Sequence, residues 1–256
     1  MVKNNTSWGN VADWYDDHLE QNPDTYQKQV ILPNLLRLLD LKSGEKVLDL
    51  ACGSGFFSRE MARVGGVEIV GADISSELVK LAQENSKNFK NIKYLIANAE
   101  SLASLESNSF DKIICVLAVQ NIENIKLVFS EINRVVKKSG KIILVLNHPA
   151  FRIAGASSWL WDDVMKTQAR RLDKYMSESK TEILMHPGSQ TASEKTVSFH
   201  RPLQYYFKLI ASAGLAVTRL EEWISHRESE SGPRQKAENS ARHEFPLFLC
   251  LEVKKL

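Results

Sequence analysis

The sequence predicts an α/β fold: a seven-stranded, mostly parallel sheet with helices on both faces, interrupted by an insertion at 148 to 201. Three observations predict it. Short apolar, β-rich runs alternate with helical segments between residues 45 and 147. Those runs are too apolar to be half exposed, so both sheet faces must be covered. Two more strand-like runs, LAVTRLEEW and PLFLCLEV, close the chain on either side of a polar loop and suggest an antiparallel edge strand.

The elements follow in order. An N-terminal helical segment, 1 to 44, contains DTYQKQVILPNLLRLLD, an amphipathic helix kinked or restarted at Pro33. In the core, 45 to 147, strands fall at 46 to 50, 67 to 71, 92 to 97, 112 to 117 and 141 to 146. Helices lie at 55 to 64, 76 to 86 and 124 to 137, with Ser75 as N-cap of the second and Ser139-Gly140 ending the third. Strand, helix, strand order implies right-handed parallel crossovers. In the insertion, the basic stretch VMKTQARRLDKYM reads as a helix. An insertion of this length is expected to act as a substrate cap. A last helix, RPLQYYFKLIASAG, and the two closing strands fill 202 to 256, and composition marks no domain boundary within the chain.

With 33 Lys+Arg against 31 Asp+Glu the formal charge is +2, so a charge-driven nucleic-acid partner is disfavoured. Cys52, Cys115 and Cys250 have no pairing or zinc-like spacing; no metal is expected, and a reducing cytoplasm fits. The start MVKNNTSWGN lacks a hydrophobic signal region, and the longest apolar run, 113 to 119, is far short of a membrane span.

The chemistry concentrates in VLDLACGSGFFSREMA. It places Asp49 at a strand end, then Gly53 and Gly55 in a tight turn opening a helix, where a ligand meets backbone N–H groups. The next strand ends at Asp73, a carboxylate suited to both hydroxyls of a ribose. Nicotinamide dinucleotides and S-adenosylmethionine share this layout. Asp49 favours the second, because a carboxylate there repels a pyrophosphate but suits amino and sulfonium cations, and Ser58 stands where a dinucleotide fingerprint has its third glycine.

These motifs resemble the class I S-adenosylmethionine-dependent methyltransferases, in the small-molecule group that includes ubiquinone and menaquinone methyltransferases. VLDLACGSG resembles their glycine loop, with Ala51 where glycine is common. Asp73 falls on the ribose acid and Ile74 on the residue against adenine. Asn98, Ala99 and Glu100 fall on a D-A-E triplet with Asn for Asp, and NSFDKIICVLAVQNI on the fourth strand, with Val116 beside the cofactor. INRVVKKSGKIILVLN falls on the helix and fifth strand that follow. WGNVADWYDDHL resembles a segment that folds over the cofactor and brings Tyr15 near the methyl group. The resemblance implies a Rossmann-like fold, S-adenosylmethionine as cofactor and methyl transfer to O, N or C of a small molecule. An RNA or protein acceptor, a non-catalytic binding protein and a nicotinamide oxidoreductase are the competing readings.

For the substrate side, Gln120 and Asn121 flank the expected methyl position. His148, directly after the fifth strand, is the first candidate for a general base, then His200, then Tyr15. Arg152 and Arg201 are candidate substrate contacts; with Arg170, Arg171 and Lys174, Arg152 forms a basic run that binds an acidic substrate or faces solvent. All five Trp, at 8, 14, 159, 161 and 223, lie outside the stretch from Tyr15 to Ser158, and five of the six His lie at or after His148.

Overall fold

The computed structural model describes residues 8–9, 12–184 and 195–256, apart from the side chains of Asp13 and Tyr15. Helix α1 (Ala12–Gln21) leads to a π-helical turn, Gln27–Ile31, which runs into α2 (Leu32–Leu39) with Pro33 in its first turn. That restart suits a ring lacking an N–H donor. Then come β1 (Lys46–Leu50), α3 (Phe56–Val64), β2 (Glu68–Asp73), α4 (Ser76–Asn85), β3 (Ile92–Ile96), β4 (Phe110–Val116), α5 (Ile125–Val135) and β5 (Val136–Asn147). Ser75 caps α4 as expected, its Oγ accepting the Leu78 N–H at 3.2 Å.

Seven strands form one sheet in the order β10-β11-β5-β4-β1-β2-β3, closed by β10 (Leu215–Trp223) and β11 (Phe248–Lys255). Strands β1 to β5 pair in parallel, and β11 runs antiparallel to both β5 and β10. The antiparallel member of the closing pair therefore lies one place in from the edge, between β10 and β5.

The side-chain period of two explains the continuous apolar runs. Leu48 and Leu50, Ile113 and Cys115, and Ile142 and Leu144 join one core beneath α5 and α6 (Leu203–Ser212). Their alternates Val47, Ile114, Ile143 and Val145 join a second core beneath α2 and α3. With helices on both faces, these central positions of β1, β4 and β5 are apolar on both sides. The order reverses between β1 and β4, so the crevice beyond their carboxyl ends is where such sheets bind ligands.

The insertion differs from expectation. VMKTQARRLDKYM is not a helix: it supplies the turn and second strand of a hairpin, β6 (Ser157–Asp162) with β7 (Thr167–Leu172), pairing Trp159 with Arg170. Helix-favouring Met, Lys and Arg are overridden by the turn, where Asp162 Oδ1 accepts the N–H groups of Val164 and Met165 at 2.9 Å. Tertiary pairing then decides, since β-propensity is mostly a matter of context. A second hairpin, β8 (Ser179–Leu184) with β9 (Lys195–His200), completes the insertion, and residues 185–194 between them lie outside the described set. Two smaller corrections follow. Helix α5 ends at Val135 and Ser139-Gly140 falls within β5, because Val136 already pairs with Phe110. The polar loop before β11 contains a short helix, α7 (Gln235–Glu244), whose polar sequence gives only a weak apolar stripe.

Candidate functional site

The turn after β1 follows its glycines. Gly53 and Gly55 take left-handed backbone, φ 56° and 81°, and so does Ala51 at 58°, the position where the resembled loop favours glycine. At Gly55 a Cβ would collide with the Tyr94 hydroxyl and meet the Ala82 methyl, so packing as well as conformation demands glycine.

Asp73 ends β2 and is 8% exposed. Its Oδ2 accepts the Gly53 N–H and its Oδ1 the Ser75 N–H, both at 2.9 Å. One carboxylate thus fixes the glycine turn and the start of α4 while keeping acceptor capacity for a ligand. Asp49 is more deeply buried, 2% exposed, and accepts Ser58 Oγ–H at 2.6 Å. Burial pushes its carboxyl up to about 7; the Ser58 hydrogen bond opposes the rise and Asp73 adds to it. Burial likewise raises Asp73, against the N–H groups of Ser75, Gly53 and Ile74. Cys52 rises well above the ordinary thiol range through burial and then the two acids, so it is a neutral core residue here. The loop is a site prepared for positive charge.

Beyond it lies a cavity of about 550 Å³, within the roughly 300–1,000 Å³ typical of cofactor and small-molecule sites. The structure brings to its wall Gly53, Asp73, Ile74, Asn98, Ala99, Glu100, Val116, Gln120 and Asn121, nine of the residues expected from sequence. Asp49 and Gly55 shape the loop without lining the cavity. Ile74, Leu78 and Ala99 give an apolar wall suited to a flat ring. Asn98 Oδ1 accepts the Glu100 N–H at 2.9 Å, and Glu100 Oε1 accepts the Asn124 N–H at 3.2 Å, so both hold the loops after β3 and β4 in place.

The far wall includes the single 3₁₀ turn after β4, Val119–Asn121. Leu117 has φ 54°, an uncommon conformation for leucine, and its carbonyl accepts Gln120 Nε2–H at 2.8 Å and Asn121 Nδ2–H at 3.3 Å. Gln120 is 6% exposed, and its Oε1 is buried without a partner among the described residues. Trp8, Gln27, Leu117, Asn147, Ile183, Thr196 and Val197 also line the cavity. Sequence pattern did not single these out; the signal that pointed their way was the uneven placement of tryptophans and of the insertion. Of the N-terminal segment, Trp8 lines the cavity. Tyr15 lies in α1, with its side chain outside the described residues.

The histidines part company. His148 does not line the cavity. Its Nε2–H donates to Glu222 Oε1 at 2.7 Å, and its Nδ1 accepts the N–H groups of Ala150 and Phe151 at 3.2 and 3.3 Å. Both nitrogens are engaged in the turn after β5, and burial lowers its basicity despite Glu222. The expected first base is therefore a turn-holding residue. His200 ends β9, donates Nε2–H to the Tyr175 carbonyl at 2.8 Å and keeps an Nδ1 lone pair. It lines a second cavity that shares Gln120, Asn147 and Ile183 with the first. Arg152 and Arg201 line that second cavity too.

A glycine turn after the first strand, a buried acid at the end of the second and another within the first meet where the strand order of a Rossmann-like sheet reverses. A methyltransferase-domain family matches residues 41–195. The chain belongs to this family, with the fold of the class I S-adenosylmethionine-dependent methyltransferases. Among curated proteins it is 32% identical over 114 residues to a demethylmenaquinone methyltransferase of Tropheryma whipplei, covering 44% of this chain and 46% of that one. It is 30% identical over 132 residues to a ubiquinone biosynthesis O-methyltransferase of Xanthomonas oryzae pv. oryzae, covering 51% and 54%. The chain thus spans about half the length of the curated relatives it matches. The structure of an S-adenosylmethionine-dependent methyltransferase from Mesorhizobium loti superposes with TM-score 0.70 at 22% identity, over 90% of this chain and 98% of that one.

Proposed function

We propose that the protein transfers a methyl group from S-adenosylmethionine to a nucleophilic O, N or C atom of a small molecule, without a metal and in the cytoplasm. One observation carries this: Asp73, tied to both the glycine turn and the α4 cap, faces the same cavity as Ile74, Ala99 and Val116, and the neighbouring buried acid Asp49 forms no ion pair among the described residues. The residues fit the cofactor. Asp73 would hold the ribose hydroxyls, the N–H groups of the glycine turn the amino-acid end, and Ile74 with Ala99 the adenine. Bound there, S-adenosylmethionine supplies an electrophilic methyl on a positively charged sulfur.

The protein's part is then chiefly positioning and exclusion of water. Gln120 and Asn121, anchored on the Leu117 carbonyl, orient an acceptor, Gln120 from the wall that the two cavities share and Asn121 from the cofactor cavity. The hairpin residues Ile183, Thr196 and Val197 roof the site. When the acceptor atom carries a proton at neutral pH, His200 Nδ1 accepts it, its tautomer set by the Tyr175 carbonyl.

Calorimetry with S-adenosylhomocysteine and NADH tests the reading. Homocysteine-nucleoside binding with none for NADH is expected; the opposite preference would make the protein a nicotinamide enzyme. Product release over a panel of phenols, acids and amines then separates a working enzyme from a binding protein.

A further inference from the structure

The second cavity, about 350 Å³, lies between the carboxyl ends of β4 and β5 and the insertion, and joins the cofactor cavity through Gln120, Asn147 and Ile183. Its wall carries three guanidinium groups, those of Arg152, Arg170 and Arg201, and no aspartate or glutamate among the described residues. None of the three forms an ion pair with a described carboxylate, whereas Arg171, next in sequence to Arg170, pairs with Asp173 on the outer side of the hairpin.

Each of the three is held in place by something other than an acid. Arg201 is 4% exposed; its Nη2 donates to the carbonyls of Ile122 at 3.0 Å and Glu123 at 2.7 Å, and its plane lies against the rings of Phe199 and Tyr205 at 4.9 and 5.7 Å. Its Nη1 is buried with no hydrogen-bond partner among the described residues. Arg170 donates through Nε and Nη2 to the Phe151 carbonyl at 2.9 and 2.6 Å and through Nη2 to Ser157 Oγ at 2.8 Å, stacked 4.8 Å from the Trp159 ring. Arg152 donates Nη1 to Asn147 Oδ1 at 2.8 Å. Burial lowers the basicity of Arg152 and Arg170, and the charge of Arg170 lowers that of Arg152 further. Three pre-oriented cations with a buried, unsatisfied N–H donor lack the negative charge that guanidinium forks are shaped to bind.

We propose that the methyl acceptor is a small organic anion whose carboxylate or phosphate is bound by Arg152, Arg170 and Arg201, with its nucleophilic end directed past Gln120 toward the cofactor cavity. The assignment rests on the methyl-transfer reading above. Ile153, Phe199 and Tyr206 line the cavity beside the cations and leave room for a ring-sized body.

The test uses the full chain, with and without saturating S-adenosylhomocysteine, titrated by calorimetry with benzoate, phenyl phosphate and neutral benzamide. At least one anion should bind about tenfold or more tightly than benzamide, and the tighter of the two identifies carboxylate or phosphate. R152Q should weaken anion binding by about tenfold while affinity for S-adenosylhomocysteine and the thermal midpoint stay at wild-type values. R201K, which keeps the charge but loses the fork, should also weaken it; R152Q decides the matter if the buried replacement does not fold. Equal binding of benzamide and the anions, or unchanged anion affinity in R152Q, would overturn the proposal while cofactor binding stands. Anion binding in a protein that ignores S-adenosylhomocysteine would support the anion site and overturn methyl transfer to its occupant.

Discussion

Asp49→Asn probes the electrostatics of the glycine loop. The carboxyl's ordinary 3.8 is pushed up to about 7 by burial. Between those values the folded chain holds a proton that the unfolded chain has released. The raised value therefore contributes stability that is fully present below about pH 4 and lost as pH rises through about 7, amounting to some 4 kcal/mol at about 1.4 kcal/mol per pKa unit. Asparagine keeps an oxygen to accept the Ser58 hydroxyl and removes the titration. Urea unfolding of wild type and variant at pH 5 and pH 8.5 measures the difference directly, since all other groups cancel between the two proteins. The stability of D49N relative to wild type should rise by about 2–3 kcal/mol between the two pH values, roughly two pKa units at about 1.4 kcal/mol each. Binding gives the functional half of the prediction. A cationic cofactor relieves the penalty of the ionised acid, so wild-type affinity for S-adenosylmethionine should increase over the same pH range, with proton release, and that of D49N should stay flat. A constant offset between the stabilities of the two proteins at both pH values would refute the argument that Asp49 is a desolvated acid awaiting a cation.

The other predictions concern neighbouring parts of the site. Asp73→Ala should weaken S-adenosylhomocysteine binding by about 3 kcal/mol, roughly a hundredfold, from two lost charge-assisted hydrogen bonds; calorimetry returning wild-type affinity would remove the ribose from Asp73. Gly55→Ala should destabilise by about 2–4 kcal/mol, from left-handed backbone and the Tyr94 collision, and a urea midpoint near wild type would show that the turn can shift. His200→Gln should lower kcat about a hundredfold or more on an acceptor protonated at neutral pH, with cofactor affinity intact. His148→Gln should leave kcat near wild type. Because burial holds His148 below its ordinary 6.5, its contribution to stability is present above about pH 6.5 and lost as pH falls through the lowered value, a loss the variant should not show. A larger kcat effect at His148 than at His200 would reverse their roles.

Much of the cofactor half was legible in the sequence because its determinants are local. A strand buried on both faces needs a continuous apolar run, a left-handed turn needs glycine, and a helix start rewards Ser75; each requirement falls on residues a few positions apart. Asp49, Gly53, Gly55 and Asp73 could be placed for that reason, and nine expected residues meet on one cavity wall. The substrate half has no such local signature. His148 ranks ahead of His200 in sequence because it follows the fifth strand directly, yet it has both nitrogens tied into a turn while His200 keeps a lone pair beside the second cavity. VMKTQARRLDKYM has the composition of a helix; a turn at Asp162 and cross-strand pairing make it a hairpin, which separates Arg170, facing Trp159 and the cavity, from Arg171, paired with Asp173. Sequence by itself determined the sheet, the glycine loop and the acid at the end of β2 that is tied to it, through short-range backbone and patterning constraints. Only the tertiary structure decided which charges lack partners, because Arg152, Arg170 and Arg201 come from three different segments and meet only once the insertion folds back over the carboxyl ends of β4 and β5.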